Sequence, residues 1–222
     1  MPILNMIYWA TWWGGWWQPW ANTLAYYPLD SINTVNDMSG NNMNLTNTNV
    51  NFGTYNWVDC AYTSGNGQRL ISPSFSGIKT LSLWTYWTGT WWSSSSRYAP
   101  IYTIWSSSAY NDIAYNTRAT TSTTDYRLMV WSLDISSPTQ QWYNFVVTGD
   151  GTTTELYINW QYTWVYSWWI WTGAFYFFVF STNQTWVDSY RWWINEVILE
   201  DKTRTAQEIT NYYNQTKWNY WL

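Results

Sequence analysis

An all-β sandwich of antiparallel strands, followed by one short helix, is the fold class this sequence predicts. Three observations lead there. Asn, Ser, Thr and Tyr dominate the composition, while only 10% of residues are charged. Thr and Tyr fit a pleated surface, and Asn and Ser fit turns. Short apolar runs recur along the chain with polar turn residues between them, which is the spacing of a sandwich. One segment near the C-terminus carries helical signals. A length of 222 residues suits one such domain and suffices for a substantial core.

In chain order, strands are predicted at 24–28, 43–46, 50–52, 60–62, 79–86, 101–104, 112–115, 126–130, 142–148, 155–158, 175–180 and 194–199. Their turns are legible. Asp37-Met38-Ser39-Gly40-Asn41-Asn42 and Ser64-Gly65-Asn66-Gly67 are rich in residues that tolerate positive φ. Thr148-Gly149-Asp150-Gly151-Thr152 joins two strands tightly. Trp84 and Trp142 lie inside apolar strand-like runs and read as core residues. The helix is predicted near 205–215. Thr205 is its N-cap, Glu208 completes a capping box, and Ile209 with Tyr212-Tyr213 forms the apolar stripe. Residues 1–22 read as a low-complexity arm, and residues 23–222 as the folded domain.

The tryptophans are anomalous. There are 24 of them against 11 Gly. Trp12, Trp13, Trp16, Trp17 and Trp20 surround Gly14, Gly15 and Pro19, Trp91-Trp92 sits beside Gly89, and Trp168-Trp169-Ile170-Trp171 precedes Thr172-Gly173. Asn159-Trp160 follows a strand where a hairpin wants Asn-Gly. Turns normally hold Gly and offer no place to bury the roughly 150–250 Å² of a Trp. The expectation is that many of these Trp stand for Gly. UGA is Gly in one genetic code and Trp in another, so translation with the wrong code converts a subset of Gly. With Gly restored, Thr11 precedes six consecutive glycines and the arm becomes an ordinary linker. A truly Trp-rich, artificial chain without natural function is the competing reading.

Function classes can be excluded by inventory. The net charge of −4 gives no basic footprint for nucleic acid. No apolar run is long enough for a membrane-spanning helix, and Met1–Met6 carries no basic n-region of a signal peptide. With no His, the Ser-His-Asp type of triad is excluded. Lone Cys60 allows no disulfide framework and reads as a small buried hydrophobe. Gly65-Asn66-Gly67-Gln68-Arg69 lacks the Lys-Ser/Thr of a phosphate loop. Tyr55, Tyr98, Tyr110 and Tyr166 lie in or near loops and are read as core-edge packing. The acceptor sequences at Asn44, Asn183 and Asn214 are expected by chance in so Asn- and Thr-rich a chain.

Leu24-Ala25-Tyr26-Tyr27-Pro28-Leu29-Asp30, the turn Asp37-Met38-Ser39-Gly40-Asn41, the strand Leu81-Ser82-Leu83-Trp84, the pair 141–148 and 155–161, and Ile194-Asn195-Glu196-Val197-Ile198-Leu199 followed by Thr205-Ala206-Gln207-Glu208-Ile209 occur in that order. In this order they resemble the laminin-G-like, concanavalin A-like lectin/glucanase superfamily over residues 24–215. The resemblance implies a jelly-roll sandwich of two antiparallel sheets. It implies Gly where this chain has Trp160, and glycine-containing turns at Trp192-Trp193. The superfamily's common Asp is Asn195 here. Members commonly bind glycans or other extracellular partners, and a minority hydrolyse glycans.

The glucanase branch carries paired carboxylates on one strand, as glycoside hydrolysis requires. The nearest segment here is Glu196-Val197-Ile198-Leu199-Glu200-Asp201, where alternation places Glu196 and Glu200 on one face. The favoured reading is a strand end with solvated charges, so no catalytic residue is assigned. Calcium is the cofactor that the oxygen donors of Asp30, Asn33 and Asp37 suit, although the same residues are ordinary turn formers. No metal ligand or ligand-binding residue is fixed by the sequence. The functional expectation is a non-catalytic binding or structural module. It is glycan- or surface-binding, set on a phage virion or bacterial envelope, with a glycan or surface protein and a larger virion or envelope assembly as partners. A glycan-cleaving hydrolase of the same fold is the alternative.

Overall fold

The computed structural model describes residues 21–64, 68–86, 98–106, 109–120, 123–130, 133–136, 141–166, 174–179, 193–220 and 222. Side chains are described for all of these except 98–136 and 164–179. Most of the arm, and the tryptophans at 12–20, 91–92, 168–171 and 192, lie outside the described residues.

Among the described residues, fifteen strands run β1 Thr23–Tyr27, β2 Thr46–Thr48, β3 Asn51–Tyr55, β4 Val58–Tyr62, β5 Arg69–Ser76, β6 Thr80–Tyr86, β7 Tyr98–Ser106, β8 Ala109–Thr120, β9 Thr123–Val130, β10 Leu133–Ser136, β11 Trp142–Gly149, β12 Thr154–Ile158, β13 Gln161–Tyr166, β14 Ala174–Val179 and β15 Trp193–Glu200. Helix α1, Ala206–Thr216, follows, and a 3-10 turn, Lys217–Tyr220, ends the series. One sheet has the order β13-β12-β11-β6-β15-β4-β3, with β1 also on β15. Along one side of β15, β4 pairs at Trp193–Ile194 and β1 at Val197–Glu200. The second sheet has the order β10-β9-β8-β7-β14-β5-β2. Neighbouring strands in both are antiparallel. This is the predicted sandwich of two antiparallel sheets with a short C-terminal helix.

Between the sheets, Ala25, Tyr27, Leu81, Leu83, Phe145, Val147, Leu156, Ile194, Val197 and Leu199 of the first sheet meet Leu70 and Phe75 of β5. Every residue of β6 is buried, because the helix covers the sheet's other face. A strand buried on both faces loses the alternation that marks a half-exposed one.

Three strands, β5, β10 and β13, are absent from the predicted set. In β5, Arg69-Leu70-Ile71-Ser72-Pro73-Ser74 contains a proline, which cannot donate to a ladder. The structure places Pro73 at an irregularity: β14 shifts register between Tyr176 and Phe178, whose partners are Ser74 and Ile71. β2 pairs only with Arg69–Ile71. The missing N–H therefore falls where the ladder is already broken.

Two hairpins share one turn geometry. Tyr55 pairs with Val58 across Asn56-Trp57, and Ile158 pairs with Gln161 across Asn159-Trp160. The φ values are 47° and 68° in the first turn and 48° and 67° in the second. Predicted positive-φ sites elsewhere are also found, at Gly40 (93°), Asn42 (57°) and Gly151 (100°).

Candidate functional site

Helix α1 begins as the sequence predicts. The Thr205 hydroxyl accepts from the Glu208 N–H, and the Glu208 carboxylate accepts from the Thr205 N–H. Ile209, Tyr212, Tyr213 and Thr216 are its buried residues, and they press onto the outer face of the first sheet. There Trp84 of β6 and Trp142 of β11 form the floor, fully enclosed. The Trp84 ring stacks 3.9 Å from Tyr220 and 5.7 Å from Tyr213. Trp142 meets Tyr220 at 5.2 Å and the edge of Tyr86 at 5.6 Å. Cys60 packs in the same cluster, and burial pushes its thiol up to about 12. A thiol so protonated is an inert packing group, as its sequence context predicts.

Glu196 and Glu200 correct the expectation of solvated charges. β15 has a bulge between Asn195 and Val197, and Glu196 adopts φ 51° there. Glu196 accepts a hydrogen bond from the Tyr212 hydroxyl of α1. Asn195 donates to the Pro28 carbonyl at 3.0 Å and to the Asp59 carbonyl at 2.7 Å, and accepts from the Tyr220 hydroxyl. An ionised Asp accepts only, so this junction needs the amide of Asn195. Glu200 is fully buried and takes the Arg204 Nε at 2.5 Å. Arg204 also lies over the Tyr212 ring at 4.8 Å. The two carboxylates thus anchor the helix to the sheet, sealed from any substrate.

Burial raises the Glu196 carboxyl above its ordinary range, opposed by the Tyr212 hydrogen bond and the Arg204 charge. A carboxyl raised in the folded state contributes stability in full below its unfolded value of about 4.3 and loses it as pH rises through the folded value. Gln at 196 imitates the protonated form. Melting curves should therefore show a Glu196→Gln advantage over the parent that grows with pH from about 4 upward. An advantage independent of pH would contradict the assignment.

Of the calcium candidates Asp30, Asn33 and Asp37, the structure joins Asp30 and Asn33 directly, and Asp37 sits in a separate set of turn hydrogen bonds. Asp30 accepts from the backbone N–H of Ile32 and Asn33 and from the Asn33 amide. Asp37 accepts from the N–H of Tyr26, Ser39 and Met43 and from the Ser39 hydroxyl. Both carboxylates accept turn hydrogen bonds on both of their oxygens. Among the described residues no group of three or more Cys, Asp or Glu converges on a metal position.

Tyr55 packs at the core edge as expected. It stacks 4.0 Å from Trp193 and meets the edge of Tyr86 at 5.0 Å. Trp193 is accordingly a packed strand residue and not part of a glycine turn. Tyr98, Tyr110 and Tyr166 fall within β7, β8 and β13, with side chains outside the described set.

A cleft of about 360 Å³ opens where the 148–155 segment faces the entry to α1. Sequence reasoning missed it, because its walls come from segments some fifty residues apart. Glu155 and Tyr157 line one side and Thr203, Arg204, Thr205 and Ala206 the other. Turn hydrogen bonds fix the rim: Asp150 accepts from the N–H and hydroxyl groups of Thr152 and Thr153. These bonds hold the Asp150 carboxyl well below its usual range. The Tyr157 hydroxyl donates to Glu155 at 2.8 Å, and the Tyr157 ring meets the edge of half-exposed Tyr162 at 5.6 Å. The cleft therefore combines an oriented carboxylate and hydroxyls, with the Tyr157 ring buried behind it and Tyr162 exposed beside it. Its acidic rim disfavours anions.

The chain matches no family profile and no curated protein. Solved structures do match it. Domain 4 of AbnA, an extracellular GH43 arabinanase from Geobacillus stearothermophilus solved in complex with arabinotriose, aligns with TM-score 0.60 at 17% identity, over 86% of this chain and 97% of that domain. The binding domain of botulinum neurotoxin serotype D aligns with TM-score 0.63 at 14% identity, over 87% of this chain and 51% of that one. A Trypanosoma rangeli sialidase aligns with TM-score 0.63 at 12% identity, over 90% of this chain and 34% of the enzyme. The chain spans about half of the neurotoxin domain and a third of the sialidase. At these identities, what this chain shares with all three is the all-β sandwich fold.

Proposed function

We propose that this chain is a non-catalytic, carbohydrate-binding sandwich module acting at a virion or cell-envelope surface, and that its ligand is a neutral oligosaccharide. The cleft between the 148–155 segment and α1 carries the reading. Glu155 accepts hydroxyl donors, the exposed Tyr162 ring against Tyr157 offers apolar surface beside the cleft, and the Asp150 and Glu155 carboxylates repel sialylated or sulfated sugars. The likeness to a domain solved with arabinotriose supports it. Cleavage is disfavoured by Glu196 and Glu200, which are locked beneath α1 by Tyr212 and Arg204. In this reading residues 1–22 tether the module to a larger assembly.

Titration calorimetry with neutral arabino- and gluco-oligosaccharides and with sialyllactose tests the proposal. Neutral sugars should bind, and no reducing ends should be released. Glu155→Ala should weaken binding about tenfold, the loss of one charge-assisted hydrogen bond of about 1.5–3 kcal/mol in part replaced by water. Absence of binding to any of these sugars, or release of reducing ends, would overturn it.

A further inference from the structure

We infer that positions 57 and 160 are glycine in the polypeptide that the gene's own host makes, whereas Trp84 and Trp142 are tryptophan there too. The inference goes beyond the glycan-binding reading and stands on the backbone. Both hairpin turns place two residues at positive φ, the type I′ geometry. That turn's favoured pair is Asn-Gly, and Asn is present at the first position both times. Trp then occupies the second, where a bulky residue is an outlier. Burial returns almost nothing at Trp57, 83% exposed, and only part of the ring at Trp160, 43% exposed. The same residue type at 84 and 142 lies in extended strands, 0% and 1% exposed. So one amino acid sits at two kinds of position with opposite physical demands. A codon read as Gly in one code and Trp in another produces this split, with UGA at the glycine positions and UGG at the core positions.

Trp57 has no place in the sequence argument, because nothing in Tyr55-Asn56-Trp57-Val58 marks a hairpin until β3 and β4 are seen to pair. The inference also removes a tempting function. A tryptophan on a hairpin tip invites reading as a sugar-stacking platform, and these two are not platforms.

Codon sequencing of the gene and tandem mass spectrometry of the natural protein, over 51–62 and 154–166, provide the test. The expected result is UGA and Gly at 57 and 160, with UGG and Trp at 84 and 142. Trp at 57 or 160 in the natural protein overturns the inference, and so does Gly at 84 or 142. A recombinant Trp57→Gly/Trp160→Gly chain supplies a second readout. It should melt higher than the chain carrying both tryptophans and bind neutral sugars equally well. A lower melting temperature, or binding lost with the two rings, counts against glycine at these positions. Failure of both chains to bind sugar overturns the glycan reading and leaves this one intact.

Discussion

Trp84→Gly and Trp142→Gly should each destabilise the protein by about 3–5 kcal/mol through the cavity left behind, with roughly 0.5–1 kcal/mol more from glycine in a strand. Against a domain stability of about 5–15 kcal/mol, either change removes a large share. The reason lies in what rests on these rings. Trp84 stacks on Tyr220 and Tyr213, and Trp142 meets Tyr220 at a tilt, so together they are the surface on which α1 and the 3-10 turn dock. Losing one ring should loosen the helix before the sandwich opens. Denaturant unfolding followed by tryptophan fluorescence and by far-ultraviolet circular dichroism measures both. Trp84→Phe is the control. It keeps an aromatic ring and deletes an indole N–H that is buried with no hydrogen-bond partner among the described residues, so it should cost less than Trp84→Gly. Equal stability of Trp84→Gly and the parent would show that the ring is not core.

Breaking the Glu200–Arg204 pair from the carboxylate side should cost a comparable amount. Both side chains are buried, at 0% and 1% exposure. Removing one partner strands the other charge in a low-dielectric interior, at a cost of about 3–5 kcal/mol. Glu200→Met is therefore expected to be strongly destabilising. Replacing both partners by Met should recover much of the loss, because the attraction in a buried pair roughly balances its desolvation. The double-mutant cycle by chemical denaturation separates these terms. If Glu200→Met alone is near neutral, Arg204 is satisfied elsewhere and the pair does not anchor the helix.

Such predictions depend on tertiary structure, yet parts of the molecule are readable without it. The capping box at Thr205 and Glu208 is visible because its two hydrogen bonds span three residues. The 150–153 turn is visible because Asp150 and Gly151 answer local backbone needs. Asn159-Trp160 is flagged as a glycine site because the strand before it, Glu155-Leu156-Tyr157-Ile158, is plain. Trp84 and Trp142 are recognisable as core from the apolar runs that hold them. In all these cases the deciding interaction lies within a few residues of the signal.

Elsewhere the decision is non-local. Pro73 argues against a strand until the β14 register shift is seen to accommodate it. Asn56-Trp57 is a hairpin only because Asn51–Tyr55 pairs with Val58–Tyr62. The alternation rule puts Glu196 and Glu200 on one face but says nothing of what covers that face. The cover is α1, whose Tyr212 comes sixteen residues after Glu196. Likewise, the cleft exists only where the 148–155 segment meets residues 203–206. The sequence by itself determined the sandwich, the helix and the core placement of Trp84 and Trp142 but not the packing of Trp193, because periodicity, caps and turn chemistry act over short distances. Tertiary structure alone decided that the two glutamates anchor a helix and where the cleft opens, because burial depends on segments that the chain brings together only on folding.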